Sequence, residues 1–433
     1  MKILAYTSPA RGHVYPPVPT LLELQRRGHE VTVRTLWSEV EALRKAGLSA
    51  SPMAASIEAR EMDDWRGSNQ LTQLHRALLA FVDRAEHEVP DLMEAIEADR
   101  PDAVLVDVNS WGAQAAAEAS GLPWAVFAPY PLPIPSSYAP PFGMGLKPMA
   151  GVLGRVRDRS LLMVSLLGWN RVLPRLNRVR AGAGAPALRS VVDIFGRAPL
   201  TIAFTAEPFE YPRADWPASV RLVGPSSWEP AMETPGWISR LKGPVVLVST
   251  STEFQADDRL LQVALDALAD EPVTVIATSP GGRSAGLHVT ANARVEAFVP
   301  HLPILEVAAC VVCHGGMGTT QKALAAGVPV CVVPFGRDQP EVARRVQVAK
   351  AGTRLPASRL NPVRLRRAVS EAMAMRDGAA RIARAFAAAG GAPAAADALE
   401  GIAIASLSSL ARRTPLNRSG KFDPPGGETK KAS

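Results

Sequence analysis

The residue types and spacing best suited to chemistry lie in one segment, Phe298 to Gln339. There an apolar run of strand character, Val307 to Cys313, leads into the turn His314-Gly315-Gly316-Met317-Gly318-Thr319 and then into a predicted helix. Backbone N–H groups at a helix N-terminus lack an intrahelical partner, the helix dipole favours anions, and glycines let the backbone approach closely. The segment therefore predicts a turn that holds phosphate, with Asp338 and Gln339 one strand later facing whatever the phosphate carries.

The same segment contains Cys310-Val311-Val312-Cys313-His314, which matches the C-x-x-C-H spacing used to attach c-type haem. Both cysteines fall in an apolar strand pattern, and cysteine is among the most buried residue types. A structural role is therefore favoured over haem or metal binding. Three cysteines in 433 residues also argue against a disulfide framework and for a reducing compartment.

Composition fits a large soluble enzyme. A chain of 433 residues, 47% of them hydrophobic, exceeds a single core and predicts two domains. The N-terminus has no signal-sequence pattern, and no run of about eighteen apolar residues could span a bilayer, so a cytoplasmic location is predicted. The net charge of +7 comes from scattered Lys and Arg, which argues against a nucleic-acid partner. A basic face also suits small phosphate donors or anionic lipids, so peripheral membrane association stays an open alternative.

Strand, loop and helix patterns alternate along the chain. The first series runs from a strand pattern at Lys2 to Ser8 to a helix pattern at Val18 to Arg27, and a second series begins at Val245. This alternation predicts an α/β fold with parallel sheets covered by helices on both faces. Linker-like composition predicts domains at residues 1–223 and 244–411, a linker at 224–243 and a disordered tail at 412–433.

The ordered motifs of residues 298–339 resemble the donor signature of a known family. They are Phe298 with Val299-Pro300, the turn His314 to Thr319, Gly327-Val328-Pro329, and Asp338-Gln339. Over about residues 1–410 the chain resembles the GT-B-fold glycosyltransferases of family 1, which include bacterial macrolide and natural-product glycosyltransferases and the UDP-glycosyltransferases. The resemblance implies two Rossmann-like, doubly wound parallel-sheet domains that face a cleft, the first for the acceptor and the second for the nucleotide sugar.

The resemblance also implies the residues of the donor site. Phe298 would stack on the nucleotide base, and Val299 would pair with the base through its backbone. The diphosphate would be held by His314, Gly316, Gly318, Thr319 and Thr252, and the sugar hydroxyls by Asp338 and Gln339. For Thr252 a role as a helix cap is an equal alternative. Glycosyltransferases of the other large fold bind a divalent ion through Asp-x-Asp; this chain has no such triplet, so neither metal nor cofactor is expected.

Transfer to a hydroxyl needs a general base, and the resemblance points to His13. A histidine has the right unperturbed pKa, and a carboxylate on its far nitrogen fixes the tautomer. His13 follows the first strand, and Asp107, which matches the orienting carboxylate, ends the strand Ala103 to Val106. Both would lie at the carboxyl edge of the sheet, where ligands of such folds bind. The alternatives are a solvent-facing histidine and an aspartate that caps the next helix.

One position departs from the family pattern. Relatives usually carry a Glu that grips both ribose hydroxyls where this chain has Lys322. Lysine cannot accept a hydrogen bond. The identity of the nucleotide, UDP or dTDP, therefore stays open, as does the alternative that Lys322 points to solvent.

The predicted reaction is inverting transfer of a hexose from a UDP- or dTDP-sugar to a hydroxyl of an apolar natural-product aglycone. Aromatic residues of the first half would line the acceptor site: Trp65, Phe81, Trp111, Tyr130, Tyr138 and Phe142. The alternatives are a lipid or cell-envelope glycolipid acceptor, a non-catalytic auxiliary protein, and an epimerase that acts on the donor alone. Whether the protein is a monomer or a homodimer stays open.

Overall fold

The computed structural model describes residues 1–67, 69–241, 243–251, 255, 257–279 and 286–413. In this part of the chain, helices cover two parallel sheets. The first sheet contains the strands β1 Lys2–Tyr6, β2 Glu30–Thr35, β3 Ser49–Pro52, β4 Ala103–Asp107, β5 Trp124–Ala128, β6 Leu200–Ala203 and β7 Val220–Leu222. The second contains β8 Val245–Ser249, β9 Thr274–Thr278, β10 Ala293–Glu296, β11 Ala308–Cys313, β12 Val330–Val332 and β13 Gly352–Arg354.

The α-helices divide between the two halves of the chain. Those before the linker are α1 Arg11–Val14, α2 Val18–Arg26, α3 Val40–Lys45, α4 Ala55–Glu58, α5 Gln70–Asp99, α6 Trp111–Ser120, α7 Gly151–Trp169 and α8 Leu173–Ala183. Those after it are α9 Asp258–Leu268, α10 His301–Leu305, α11 Met317–Ala325, α12 Gln339–Val348, α13 Pro362–Met373, α14 Arg376–Ala388 and α15 Gly391–Arg413. No helix in the described ranges combines the length and the apolar character needed to cross a bilayer.

The strand order of each sheet reverses at one point. The first sheet runs β3-β2-β1-β4-β5-β6-β7 and the second β10-β9-β8-β11-β12-β13. The order reverses between β1 and β4 and between β8 and β11, and ligands of doubly wound sheets bind outside the carboxyl ends of such strand pairs. The predicted His13, Asp107 and His314 all follow or end one of these four strands.

The central strands are apolar because both faces of each sheet are covered. Every residue of β4, β5, β8 and β11 is buried. Cys310 and Cys313 lie in β11 and Cys331 lies in β12, and all three are buried free thiols. Burial raises the pKa of Cys331 to about 12, which is typical of an inert core cysteine.

The last helix returns to the first domain. On α15, Ala395, Ala396 and Leu399 are fully buried in the core beneath the first sheet, together with residues of α2. Arg27 lies 2.6 Å from Asp397 and 2.9 Å from Glu400, which fixes the helix at its edge. The division at residue 411 assigns α15 to the second domain, whereas the structure packs it on the first. Residues 412–413 end this helix, and the rest of the predicted tail lies outside the described residues.

Candidate active site

His13 and Asp107 meet at the carboxyl edge of the first sheet. His13 lies on α1, and its Nδ1 is 2.8 Å from Oδ2 of the fully buried Asp107. The other carboxylate oxygen accepts the backbone N–H of Asn109 at 2.7 Å. Because a carboxylate only accepts, Nδ1 donates this hydrogen bond, and Nε2 is the ring nitrogen on the side away from the carboxylate. The N-cap residue of α6 is Ser110, which makes no side-chain cap hydrogen bond, and Asp107 lies three residues before it.

Asn109 and Tyr130 complete this arrangement. Asn109 Nδ2 lies 3.2 Å from Nε2 of His13, and the Tyr130 hydroxyl donates to Asn109 Oδ1 at 2.7 Å. Burial raises the pKa of Tyr130 well above its usual value, so the phenol stays protonated and stays a donor. The sequence reasoning missed Asn109. Its signal is a polar residue two positions beyond the strand-end aspartate.

The phosphate turn has the backbone that the glycine pattern predicts. Gly315 has φ +98°, and a Cβ there would lie 2.8 Å from Val332 Cγ1. A Cβ on Gly316 would lie 2.5 Å from His314 Nε2, whereas Gly318 faces open space. Within the described residues, the N-cap position Gly316 of α11 has no side-chain cap hydrogen bond. The turn therefore offers backbone N–H groups to an anion at an open face.

His314 lies next to the loop that follows β8. It is buried, and its Nδ1 lies 3.9 Å from Oδ2 of Asp257. Asp257 accepts the backbone N–H and the hydroxyl of Ser251 at 2.7 and 2.8 Å. This carboxylate fixes the loop that continues towards Thr252, but Thr252 itself lies outside the described residues, so its predicted contact stays a prediction.

Asp338 faces the first domain across the cleft. It is the N-cap residue of α12. Burial raises the pKa of Asp338, and the charges of Arg337 and His13 lower it. Since His13 influences this pKa, Asp338 lies within electrostatic range of the candidate general base. Arg337 has φ +53° and forms a two-pronged ion pair with Asp64 of the first domain, at 3.0 and 2.8 Å. The domains are therefore joined beside the predicted sugar site.

Gln339 holds the turn that carries Asp338. Its Oε1 accepts the backbone N–H groups of Phe335 and Gly336 at 2.7 and 3.1 Å, and its Nε2 contacts Gln255. Both polar ends of the side chain are therefore engaged within the protein. Its predicted contact with a sugar hydroxyl stays a prediction.

The predicted binding site for the nucleotide base (the nucleobase) lies at the other end of the donor region. Phe298 is 48% exposed, as a stacking platform must be, and Val299 is buried. Lys322 does not point to solvent: its Nζ lies 2.7 Å from Oε1 of Glu229 in the linker, and its side chain is 16% exposed. Burial lowers the pKa of the neighbouring His301 to about 4, with the charge of Lys322 adding to the effect and Glu229 opposing it.

The predicted acceptor aromatics separate into different settings. Tyr130 packs near His13 and Phe142, at ring-centroid distances of 5.9 and 6.3 Å. Phe81 lies 5.2 Å from Trp111. Trp111 is 0% exposed, so it belongs to the core and supports this wall from behind; the prediction that it lines the acceptor site needs this correction.

Trp65 and Tyr138 lie apart from this cluster. Trp65 is partly exposed beside Asp64, the partner of Arg337, and carries the Arg66 guanidinium 5.0 Å from its ring. Tyr138 is 56% exposed on the proline-rich segment, residues 128–148. The acceptor roles of Trp65 and Tyr138 stay predictions.

The proline-rich segment docks on the second domain. The N–H groups of Gly143 and Gly145 donate to Oε1 of Glu341 on α12 at 3.0 and 2.7 Å. Arg344 donates to the Gly145 carbonyl at 2.8 Å. The acceptor segment of one domain is thus fixed to the helix that begins at the predicted sugar site of the other. Among the described residues, no group of three or more His, Cys, Asp and Glu could hold a metal ion.

Several known proteins are similar to this chain in sequence and fold. Residues 262–400 match the family described as "Erythromycin biosynthesis protein CIII-like, C-terminal domain". The 4'-demethylrebeccamycin synthase of Lentzea aerocolonigenes is 34% identical over 393 residues, which cover 85% of this chain and 90% of that protein. The solved glycotransferase of kitacinnamycin is 25% identical with a TM-score of 0.73, over 93% of this chain and 98% of that one. Glycosyltransferase VinC, solved in complex with dTDP, is 22% identical with a TM-score of 0.68, over 94% and 100%.

The chain therefore belongs to the GT-B-fold glycosyltransferases, in the group of the bacterial macrolide and natural-product enzymes. The predicted fold class and the predicted family are both confirmed.

Proposed function

We propose that this glycosyltransferase moves a hexose, with inversion, from a UDP- or dTDP-sugar to a hydroxyl of an apolar small-molecule aglycone. The observation that carries the proposal is the His13–Asp107 pair at the cleft, in which Nδ1 lies 2.8 Å from the buried carboxylate and Nε2 is the ring nitrogen on the other side of the imidazole. Asp338 of the second domain lies within electrostatic range of that base. A proton acceptor thus lies close to the predicted position of the donor sugar.

The reaction is a single displacement. The acceptor oxygen attacks the reacting carbon of the sugar while Nε2 of His13 takes its proton, and the bond from that carbon to the diphosphate oxygen breaks. Asp107 stabilises the imidazolium that forms. The leaving diphosphate carries the negative charge, which the N-terminus of α11 and His314 stabilise without a metal. Attack opposite the leaving group inverts the configuration of the sugar carbon.

The aromatic group near His13 supports an apolar acceptor. Tyr130 and Phe142 place ring surface beside the base, and Phe81 lies on the same core wall. Aromatic walls with few polar groups suit flat or polycyclic aglycones. The 4'-demethylrebeccamycin synthase relative supports the same class of natural-product acceptor.

The test combines a donor panel with one variant. UDP-, dTDP- and GDP-glucose are each incubated with a set of apolar aglycones, and products are detected by mass spectrometry and their anomeric configuration by NMR. His13→Ala should lower turnover by roughly two to four decades while UDP affinity stays nearly unchanged, the usual effect of losing a general base. His288→Ala, at an exposed position of the second domain, is the matched control.

Unchanged turnover in His13→Ala, or loss of its UDP affinity, would contradict the assignment. Conversion of the sugar nucleotide without any aglycone would indicate the epimerase alternative. Activity should survive EDTA, and a full loss restored by Mg²⁺ would contradict metal-free transfer.

One surface favours a second candidate, a lipid-linked acceptor. On α7 six apolar side chains are exposed and fall within an arc of about 120° of the helix: Val152, Leu153, Val156, Met163, Val164 and Leu167. Residues 151–180 contain seven arginines and one acidic residue, and every one of these arginines except the buried Arg180 is at least partly exposed. An apolar helix face with basic neighbours binds anionic membrane surfaces, so it would bring the enzyme to a membrane-borne acceptor.

Vesicle binding separates the two acceptor classes. If the acceptor is membrane-borne, the protein should sediment with phosphatidylcholine vesicles that contain phosphatidylglycerol, and the double variant Leu153→Ser with Leu167→Ser should not. Val363→Ser, at an exposed apolar position on α13, is the control. Absence of wild-type binding favours the soluble aglycone.

A further inference from the structure

A buried ion pair joins the interdomain linker to the helix of the phosphate turn. Glu229 Oε1 lies 2.7 Å from Nζ of Lys322 on α11, and Glu229 Oε2 accepts the backbone N–H of His301 at 3.2 Å. The preceding residue, Trp228, packs edge-on against Tyr15, with ring centroids 5.1 Å apart. Tyr15 follows His13 by two residues. The Glu229 carboxylate therefore lies at the cleft, between the His13 loop and the second domain.

This position is the middle of the donor region. Phe298, the proposed platform for the base, precedes His301 by three residues, and Lys322 lies about one helical turn beyond Gly318 of the phosphate turn. Glu229 contacts both the His301 backbone and the Lys322 side chain. The base and the diphosphate are the two ends of a nucleoside diphosphate, so the sugar between them, the ribose, would lie beside this carboxylate.

The carboxylate keeps acceptor capacity in this position. An ionised carboxylate has about four lone-pair sites. The ammonium of Lys322 and the N–H of His301 occupy one site on each oxygen of Glu229, which leaves a further site on each. The Glu229 side chain is 11% exposed, so a ligand in the cleft can reach it. Lys322 compensates the charge that would otherwise be costly to bury.

We propose that Glu229 accepts hydrogen bonds from the 2′- and 3′-hydroxyls of the donor ribose and thereby makes the enzyme prefer ribonucleotide donors. The inference rests on the proposed transfer from a nucleotide sugar. Lys322 acts as a positioning residue, because its ammonium is engaged by Glu229 and has no acceptor atom to offer a hydroxyl. The linker, rather than α11, then supplies the group that reads the ribose.

The test compares UDP with 2′-deoxy-UDP, two ligands that differ only in the 2′-hydroxyl. Affinities are measured by titration calorimetry for the wild type, Glu229→Gln, Lys322→Gln and Glu233→Gln. Glu233→Gln removes one negative charge from an exposed position of the same linker and is the matched control. Melting temperatures of all four proteins show whether each variant is folded.

The wild type and Glu233→Gln should bind UDP roughly tenfold or more tightly than 2′-deoxy-UDP, the effect of a hydrogen bond to a charged acceptor. In Glu229→Gln this ratio should fall to about threefold or less. Lys322→Gln should weaken both ligands by a similar factor and keep the ratio, because the His301 N–H still holds the carboxylate.

Three results would overturn the inference. They are a wild-type ratio near one, a ratio that Glu229→Gln leaves unchanged, and a ratio lost in Lys322→Gln but kept in Glu229→Gln. In each of these cases UDP still binds, so the proposed transfer from a nucleotide sugar stands. A wild type that binds neither ligand nor dTDP contradicts the proposed donor site itself.

Discussion

Both ring nitrogens of His13 are engaged, and the two contacts act differently on its proton. Asp107 accepts the hydrogen bond of Nδ1 at an Nδ1–Oδ2 distance of 2.8 Å and, in the proposed reaction, stabilises the charge that forms when Nε2 accepts a proton. Asn109 donates to Nε2 at 3.2 Å, and Tyr130 fixes the orientation of that amide. In the proposed reaction an acceptor hydroxyl therefore replaces the Asn109 amide at Nε2 before transfer. Until then the imidazole is held in the tautomer that a base needs.

Replacing Asp107 by Asn should lower kcat by at least tenfold, though by less than the loss of His13. The amide keeps the shape of the carboxylate but cannot stabilise the imidazolium, and its NH₂ group favours the wrong tautomer. UDP affinity should stay unchanged, because Asp107 lies in the other domain. Steady-state kinetics and calorimetry measure both effects. A variant with wild-type kcat would show that Asp107 serves only the Asn109 backbone.

The sequence was sufficient for some of these residues and not for others. The proximity of His13 and Asp107 could be predicted because each follows or ends a strand and a parallel sheet brings such ends together, whereas their roles are implied by the family resemblance. Glu229 could not be predicted, because its contact with Lys322 joins residues 93 positions apart through the packing of a linker without periodic pattern. For the same reason the sequence could not decide whether Lys322 faces the ribose or the solvent, whereas the structure pairs it with a carboxylate.

The proline-rich segment and α12 form one unit across the cleft. Glu341, buried on α12, accepts both glycine N–H groups of the segment and pairs with Arg345 at 2.8 Å. The proline-rich composition of residues 128–148 indicates a loop but not its partner, because prolines and glycines specify turns and not docking sites. Trp111 shows the converse error, since an aromatic residue at the start of a helix fits a core and a ligand wall equally well.

Gly145→Ala should detach the proline-rich segment. Gly145 has φ +56°, and a Cβ there would lie 2.4 Å from the Pro340 carbonyl oxygen, so the backbone has to move. We expect the KM for the acceptor to rise by roughly tenfold with little change in UDP affinity, since a misplaced wall costs a few kcal/mol at most. Gly168→Ala on α7, where a Cβ meets nothing within 4 Å, is the control. Equal acceptor KM values in the two variants would show that docking does not shape the acceptor site.

A buried carboxyl between α5 and α6 should make stability depend on pH. Burial raises the pKa of Glu88 from 4.5 to about 8. The backbone N–H of Gly112 donates to this carboxyl at 2.9 Å and lowers the pKa, but by less than burial raises it. The folded state then retains a proton that the unfolded chain loses above pH 4.5. Stability from this group is therefore complete below pH 4.5 and is lost as the pH rises towards 8.

Glu88→Gln, which cannot ionise, should remove this dependence. Its unfolding free energy should match that of the wild type near pH 5 and exceed it near pH 8 by on the order of 3 kcal/mol. Denaturant titrations at the two pH values measure the difference. A difference that is the same at both would mean that Glu88 is ionised in the folded protein.

The two domains are joined at more places than the linker. The ion pair of Arg337 with Asp64 and the contact of Gly145 with Glu341 bridge the cleft, and α15 crosses back to the first sheet. The alternation of strands and helices predicted both sheets, because it reflects local periodicity. It could not predict which sheet α15 covers: the helix is alanine-rich, and its apolar residues fit the face of either domain.

Loss of α15 should destabilise the first domain rather than the second. Leu399 is fully buried against the core beneath the first sheet, so Leu399→Ala should cost about 2–4 kcal/mol of unfolding free energy. Truncation after Gly390 should lower the melting temperature further, since it also removes the ion pairs of Arg27 with Asp397 and Glu400. Removal of residues 414–433 alone, which are all but the first two residues of the predicted tail, should leave the melting temperature and turnover unchanged. Hydrogen exchange of the Leu399→Ala variant, compared with that of the wild type, locates the effect. A larger increase in exchange rate in the strands β8 and β11 than in β1 and β5 would place the helix with the second domain instead.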